Sequence, residues 1–262
     1  MDLGLRGKRA IVTGGSRGIG KQCALALALE GVHVCIAART EDILNQTLVE
    51  LEQTGGKGHT VAVDLTTQAS CEKVVQETID RFGGVDILVN NVGAARNADI
   101  LGLSPKMIDE ALSLKTYSYL RMSQLVIPYM RENQWGRIVN IAGAAGTSPT
   151  RGNIPTGAAN ITILNITRAL SDAVAGDGIL VNTVCPGLTN TGRARTQQSA
   201  RAKREGRDVE ELLQELGQEL PAGRIAEPEE VANVVTFLAS EACSYMFGST
   251  LYMDGGKRRA TP

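Results

Sequence analysis

The chain has 262 residues and a formal net charge of −1, from 27 lysines and arginines against 28 aspartates and glutamates. That balance carries no general attraction for polyanions, so nucleic acid is not an expected partner and any charge-driven recognition is local. Five scattered cysteines and two histidines, with no Cys-x-x-Cys pair, point away from a disulfide scaffold and from a metal site, and no apolar run reaches the roughly 18 residues of a membrane span.

The N-terminal stretch MDLGLRGKRAIVTG lacks a signal-peptide core and enters an apolar run at once, so the expected location is cytoplasmic. Short, β-rich runs at Arg9 to Val12, Val32 to Ala37, Thr60 to Val63, Val85 to Val89, Arg137 to Ile141, Leu180 to Val184 and Thr250 to Met253 read as seven strands. Between them, helical spacing marks about 18–30, 41–53, 68–82, 105–131, 154–175 and 228–240. The strands are near-continuously apolar, as expected when helices cover both faces of a parallel sheet. The pattern predicts an α/β doubly wound parallel seven-stranded sheet, a Rossmann fold, in a single domain over 1–262, with ligand at the carboxyl ends of the strands. Only about 188–222 breaks the rhythm.

The first strand runs into Thr13-Gly14-Gly15-Ser16-Arg17-Gly18-Ile19-Gly20 and then a helix. Glycines at this spacing let the backbone turn tightly and approach a pyrophosphate, while the helix offers unpaired N–H groups and the positive end of its dipole. Gly14, Ser16, Arg17, Gly18, Ile19 and Gly20 are therefore candidate cofactor contacts. The second strand ends Ala37-Ala38-Arg39, with no acid to hold ribose hydroxyls. Arg39 and Arg17 are instead a pair of guanidiniums suited to a 2′-phosphate, so the expected cofactor is NADP(H).

Further motifs are Asp64-Leu65, Asn90-Asn91-Val92-Gly93, Cys185-Pro186-Gly187, Gly223-Arg224, Glu227-Pro228-Glu229-Glu230-Val231, Gly248-Ser249-Thr250 and Asp254-Gly255-Gly256. On these the chain resembles the short-chain dehydrogenase/reductase superfamily, and its C-terminal run resembles bacterial β-ketoacyl carrier-protein reductases. The resemblance implies that Asp64 and Leu65 hold the adenine and that Asn91, Val92 and Gly93 line the adenosine ribose. It further implies that Pro186, Gly187, Leu188 and Thr189 shape the nicotinamide pocket, the last two near the carboxamide.

In the segment Gly136 to Asn160 the superfamily places a serine on the strand and a Tyr-x-x-x-Lys pair on the next helix. By spacing these positions fall on Gly143, Thr156 and Asn160. In the family the tyrosine protonates the carbonyl oxygen, the lysine lowers the phenol pKa, and the serine orients the same oxygen. Thr156 is a weaker acid on a shorter arm, Gly143 has no hydroxyl, and Asn160 has no charge. The family's asparagine on the preceding helix aligns with Lys115, counted back from Ile127-Pro128. Lysine and asparagine thus stand exchanged between two facing helices. The expectation is that Lys115 supplies the positive charge at a polarised substrate oxygen while Asn160 holds the nicotinamide ribose, with Thr156 beside them. Thr147, Ser148, Thr150 and Tyr117 are further hydroxyls near the site, although Tyr117, two residues from Lys115, points to a different helix face.

The irregular 188–222 segment carries Arg193, Arg195, Arg201, Lys203, Arg204 and Arg207, followed by a helix-like DVEELLQELGQEL. The resemblance makes it a substrate lid. A basic lid suits an acidic acyl thioester, on coenzyme A or a carrier protein; a lid balanced by Glu210, Glu211 and Glu215 is the other reading. The resemblance also implies a homodimer or homotetramer built on the helices near 105–131 and 154–175. Two functions follow: an NADP(H)-dependent oxidoreductase acting on a small-molecule carbonyl or alcohol through an altered proton-delivery group, or a catalytically inactive NADP(H)-binding sensor or partner protein.

Overall fold

A computed structural model describes residues 1–93 and 98–259. The strands are β1 (Arg9–Thr13), β2 (His33–Ala38), β3 (Gly58–Ala62), β4 (Ile87–Asn90), β5 (Gly136–Ile141), β6 (Ile179–Pro186) and β7 (Thr250–Met253). They form one parallel sheet in the order β3-β2-β1-β4-β5-β6-β7. The helices are α1 (Gly18–Leu29), α2 (Glu41–Gln53), α3 (Gln68–Phe82), α4 (Pro105–Ala111), α5 (Ser118–Glu132), α6 (Ile154–Val174), α7 (Gly192–Glu205), α8 (Val209–Gln218) and α9 (Pro228–Leu238). The winding reverses between β1 and β4, which opens a crevice at their carboxyl ends.

Successive strand residues feed opposite faces of the sheet. Val12, Ile36, Val89 and Val139 pack with Cys23 and Leu27 of α1 and Val231 and Val235 of α9. Their neighbours Ile11, Cys35, Leu88 and Ile138 pack with Val74 of α3 and Met122, Val126 and Met130 of α5. This two-sided burial is why the strands read as continuous apolar runs. All five cysteines are buried and free. One polar row crosses the centre of the sheet. Asn90 donates to Asn140 (2.9 Å), Asn140 donates to the Thr167 hydroxyl (2.9 Å), and Thr183 donates to that same hydroxyl (2.8 Å). Buried amides and hydroxyls satisfied in this way tie β4, β5, β6 and α6 together directly behind the crevice.

Two expectations need refinement. The helix expected over 105–131 is helical throughout, and a π-helical turn, Leu112–Tyr117, joins α4 to α5 and carries Lys115. The Ser118 hydroxyl bonds back to the carbonyls of Leu114 (2.7 Å) and Lys115 (3.1 Å), answering groups that the widened turn loosens. The second concerns 188–222: α8 falls on the helix-like DVEELLQELGQEL as expected, but α7 occupies a stretch expected to be irregular. In α7 only Ala194 and Ala202 are buried, so the segment shows almost no apolar period. In α8, Leu212 and Leu213 are buried and Asp208 caps the first turn, accepting from Glu210 N (2.8 Å) and Glu211 N (3.3 Å).

Candidate active site

The glycine loop between β1 and α1 is tightly closed. Gly14 and Gly18 hold φ of +65° and +54°, and a Cβ on Gly20 would stand 2.3 Å from the Gly14 carbonyl oxygen. Asn91 braces the loop: its N–H donates to the Thr13 hydroxyl (2.9 Å) and its Nδ2 donates to the Gly14 carbonyl (3.2 Å). The Asn91 Nδ2 thus holds the loop's shape, at the strand end where the residue was expected to line a ribose. Ser16, Arg17, Gly18, Gln46, Thr47 and Thr191 line a cavity of about 450 Å³ between the loop, α2 and the start of α7. Arg17 and Arg39 are exposed, and among the described residues neither joins an ion pair, whereas the nearby Lys21 is held by Glu50 at 2.7 Å. Asp64 is exposed and accepts from Thr66 N (3.1 Å), while Leu65 is buried beside it.

The exchange read from sequence brings its two partners together. Lys115 Nζ donates to Asn160 Oδ1 at 2.7 Å, from the π turn across to α6. Asn160 is 1% exposed. Its Nδ2 is buried without a partner among the described residues, a donor that costs free energy until a ligand answers it. Gly143 leaves that amide uncovered: a Cβ there would lie 3.0 Å from Nδ2. Gly93 lets the strand end pack on the lysine stem, since a Cβ on it would lie 3.1 Å from Lys115 Cδ. Thr156, one helical turn before Asn160, is half-buried.

Burial, helped by the nearby Arg193 charge and opposed by Cys185, pushes the Lys115 ammonium down from its ordinary 10.5 to about 7. Burial also pushes the Cys185 thiol up to about 12, so it stays protonated. Of the other hydroxyls, Tyr117, Ser148 and Thr150 are exposed, while Thr147 has a buried Oγ1 without a partner among the described residues. Thr189 is turned inward, its hydroxyl donating to the Gly187 carbonyl at 3.2 Å. Gly187 is pressed against Asp254, where a Cβ would stand 2.8 Å from the Asp254 Cα. Leu188 is fixed through its carbonyl, which accepts from Ala226 N (3.1 Å).

Sequence reasoning missed Tyr119. Its ring lies 5.8 Å from Lys115 Nζ. Its hydroxyl sits between the carbonyls of Val92 (2.9 Å) and Ile141 (3.1 Å), pinning the ends of β4 and β5, and burial holds the phenol protonated. The spacing of four from Lys115 was the available signal. It also treated the basic residues of 188–222 as one group. Arg195 pairs with Glu210, Arg201 with Glu205 (2.8 Å) and Arg207 with Glu215, so much of the charge is balanced within the segment. Arg193 instead donates to the Gly93 carbonyl.

Comparison with known proteins agrees with the fold and its glycine loop. A family model described as enoyl-(acyl carrier protein) reductase matches residues 14–258. The chain is 35% identical to the 3-oxoacyl-(acyl-carrier-protein) reductase of Vibrio cholerae over 254 residues, covering 97% of this chain and 98% of that one. The L-sorbose reductase of Gluconobacter frateurii, solved with NADPH and L-sorbose, matches with a TM-score of 0.96 and 33% identity over 100% of both chains. An actinorhodin polyketide ketoreductase variant, solved with NADPH, matches with a TM-score of 0.92 and 30% identity over 97% of this chain and 98% of its own. The sheet order, the glycine loop at its switch point and the match over 14–258 place the chain in the short-chain dehydrogenase/reductase superfamily, as a member of the family described as enoyl-(acyl carrier protein) reductase.

Proposed function

We propose that this chain is an NADP(H)-dependent oxidoreductase that interconverts a carbonyl and an alcohol, with Lys115 and Asn160 delivering the proton. The observation that carries the reading is the 2.7 Å Lys115–Asn160 bond at the mouth of a dinucleotide crevice. The unanswered Asn160 Nδ2 and the closed glycine loop both fit a dinucleotide, and two of the similar structures hold NADPH.

When bound, the nicotinamide supplies or accepts the hydride. The backbone of Gly14, Ser16, Gly18, Ile19 and Gly20 and the amino end of α1 hold the diphosphate. Arg17 and Arg39 clamp the 2′-phosphate, Asp64 and Leu65 the adenine, and Val92, Gly93, Pro186, Gly187, Leu188 and Thr189 form the walls. Asn160 Nδ2 donates to the nicotinamide ribose, and Asn160 Oδ1 aims the Lys115 ammonium. In reduction, as the carbonyl carbon gains the hydride, Nζ gives a proton to the oxygen and is left neutral. In oxidation the neutral amine takes the proton back. A group near about 7 is suited to both directions at neutral pH. Tyr119 positions the strand ends, and Thr156 lies one helical turn before Asn160 on the same helix.

In this reading α7 and α8 form the substrate lid, and the assembly is a homodimer or homotetramer through α5 and α6. The substrate is a small-molecule carbonyl or alcohol, with acidic acyl thioesters among the candidates. The test is NADPH oxidation against 3-oxoacyl thioesters, keto sugars, quinones and small ketones. Turnover of one class, lost in Lys115→Met, supports the proposal. Turnover of none, with NADPH still bound, contradicts it.

A further inference from the structure

Arg193 has a charge environment unlike that of its neighbours. Arg195, Arg201 and Arg207 each end on a glutamate, and Arg204 is exposed in the last turn of α7. The Arg193 guanidinium ends on a neutral acceptor, the Gly93 carbonyl just beyond β4. Two residues earlier, Thr191 packs on the glycine loop, its Cγ2 3.3 Å from where a Cβ on Gly18 would stand. Arg193 therefore reaches from the loop that would hold a diphosphate to the far side of the crevice. It also arrives beside a second cation. Lys115 is faced by Arg193 from α7, Cys185 from β6, Tyr119 from α5 and Asn160 from α6. There is no carboxylate among those groups, so among the described residues around Lys115 two positive charges share the crevice with neutral partners.

Such an arrangement lacks an anion. A guanidinium binds phosphate oxygens through forked hydrogen bonds between opposite charges, whereas a carbonyl offers it a neutral acceptor. We propose that Arg193 is a cofactor clamp: on binding, it exchanges the Gly93 carbonyl for the cofactor's diphosphate. The Arg193 charge, once paired, then no longer opposes protonation of Lys115. Resting on the oxidoreductase reading, this makes cofactor occupancy load the proton that the reaction consumes.

The diphosphate is common to NADPH and NADH, whereas the 2′-phosphate is not, and this separates the clamp from the other arginines. Fluorescence titrations with both dinucleotides are compared for the wild type and for Arg193→Gln, Arg193→Lys, Arg39→Ala and Arg201→Gln, with thermal melts verifying folding. Arg193→Gln should weaken both dinucleotides by the same factor, about tenfold or more, and Arg193→Lys should recover part of it. Arg39→Ala should weaken NADPH alone, and Arg201→Gln neither. Calorimetry near neutral pH, in buffers of different ionisation enthalpy, should show proton uptake when the wild type binds NADPH. Uptake should be smaller in Arg193→Gln and absent in Lys115→Met. Wild-type affinity in Arg193→Gln, a loss confined to NADPH, or undiminished proton uptake would each overturn the proposal. A turnover defect at unchanged cofactor affinity would also overturn it, assigning Arg193 to the substrate. If the wild type bound neither dinucleotide, the oxidoreductase reading itself would fail.

Discussion

Replacing Lys115 by methionine keeps most of the stem that packs on Gly93 while removing the ammonium. Loss of a positioned general acid costs about 10²- to 10⁴-fold in kcat, or about 3–5 kcal/mol of transition-state stabilisation. The pH dependence has a defined sign. Reduction needs the ammonium, so kcat/KM for the carbonyl should be level at low pH and fall about tenfold per unit above an inflection at or above about 7. Oxidation needs the free amine and should rise through the same range. Lys115→Met should flatten both limbs. Lys115→Arg keeps the charge without a releasable proton, so it should remain near the methionine variant. Stability provides an independent check. The native pKa lies below the ordinary value, so between about 7 and 10.5 the unfolded chain binds the extra proton and stability rises with pH. Below about 7 the buried charge costs the native state an upper bound of about 5 kcal/mol, reduced by solvent contact. Denaturant melts at pH 6 and 9 should therefore show Lys115→Met gaining most at pH 6. Equal rates and parallel pH profiles for the two proteins would refute the assignment.

Arg39→Ala should narrow the preference for NADPH over NADH by about tenfold, read as a ratio of dissociation constants, because it removes one of the two guanidiniums proposed to clamp the 2′-phosphate. Gly20→Ala should abolish dinucleotide binding, since its Cβ would stand 2.3 Å from the Gly14 carbonyl oxygen and the loop must open to admit it; equilibrium titration reads this directly. Asp86→Asn should cost about 2 kcal/mol in urea unfolding. The carboxylate is 7% exposed and holds Arg9 through two bonds of 2.7 Å, and the partial exposure of Arg9 keeps the cost below that of a fully buried pair.

The sheet was legible because burial on both faces imposes continuous apolar runs, and each of the seven strands overlaps the expected one within a few residues. The glycine loop was legible because steric closure leaves no alternative to glycine at Gly14, Gly18 and Gly20. The Lys115–Asn160 pair was legible only through spacing, and its hydrogen bond required the two helices to be placed. Helix α7 was hidden by composition: GRARTQQSARAKRE buries two alanines, and no apolar stripe marks its face. The π turn at Lys115 left no trace, because Leu112–Tyr117 continues an ordinary helical pattern and the extra residue per turn is a backbone property. Tyr119 and Arg193 were obscured for a shared reason. Each acts by reaching a main-chain carbonyl of another segment, and a carbonyl carries no sequence signature.

The central claim is that the crevice grips a phosphorylated dinucleotide against Asn160 and Lys115. A fluorescence titration of the purified protein tests it most directly. The account predicts saturable NADPH binding with a dissociation constant of about 1–100 μM, the range of working cofactor sites, and weaker binding of NADH. No saturable NADPH signal at about 1 mM, from protein with a cooperative thermal melt, would contradict it.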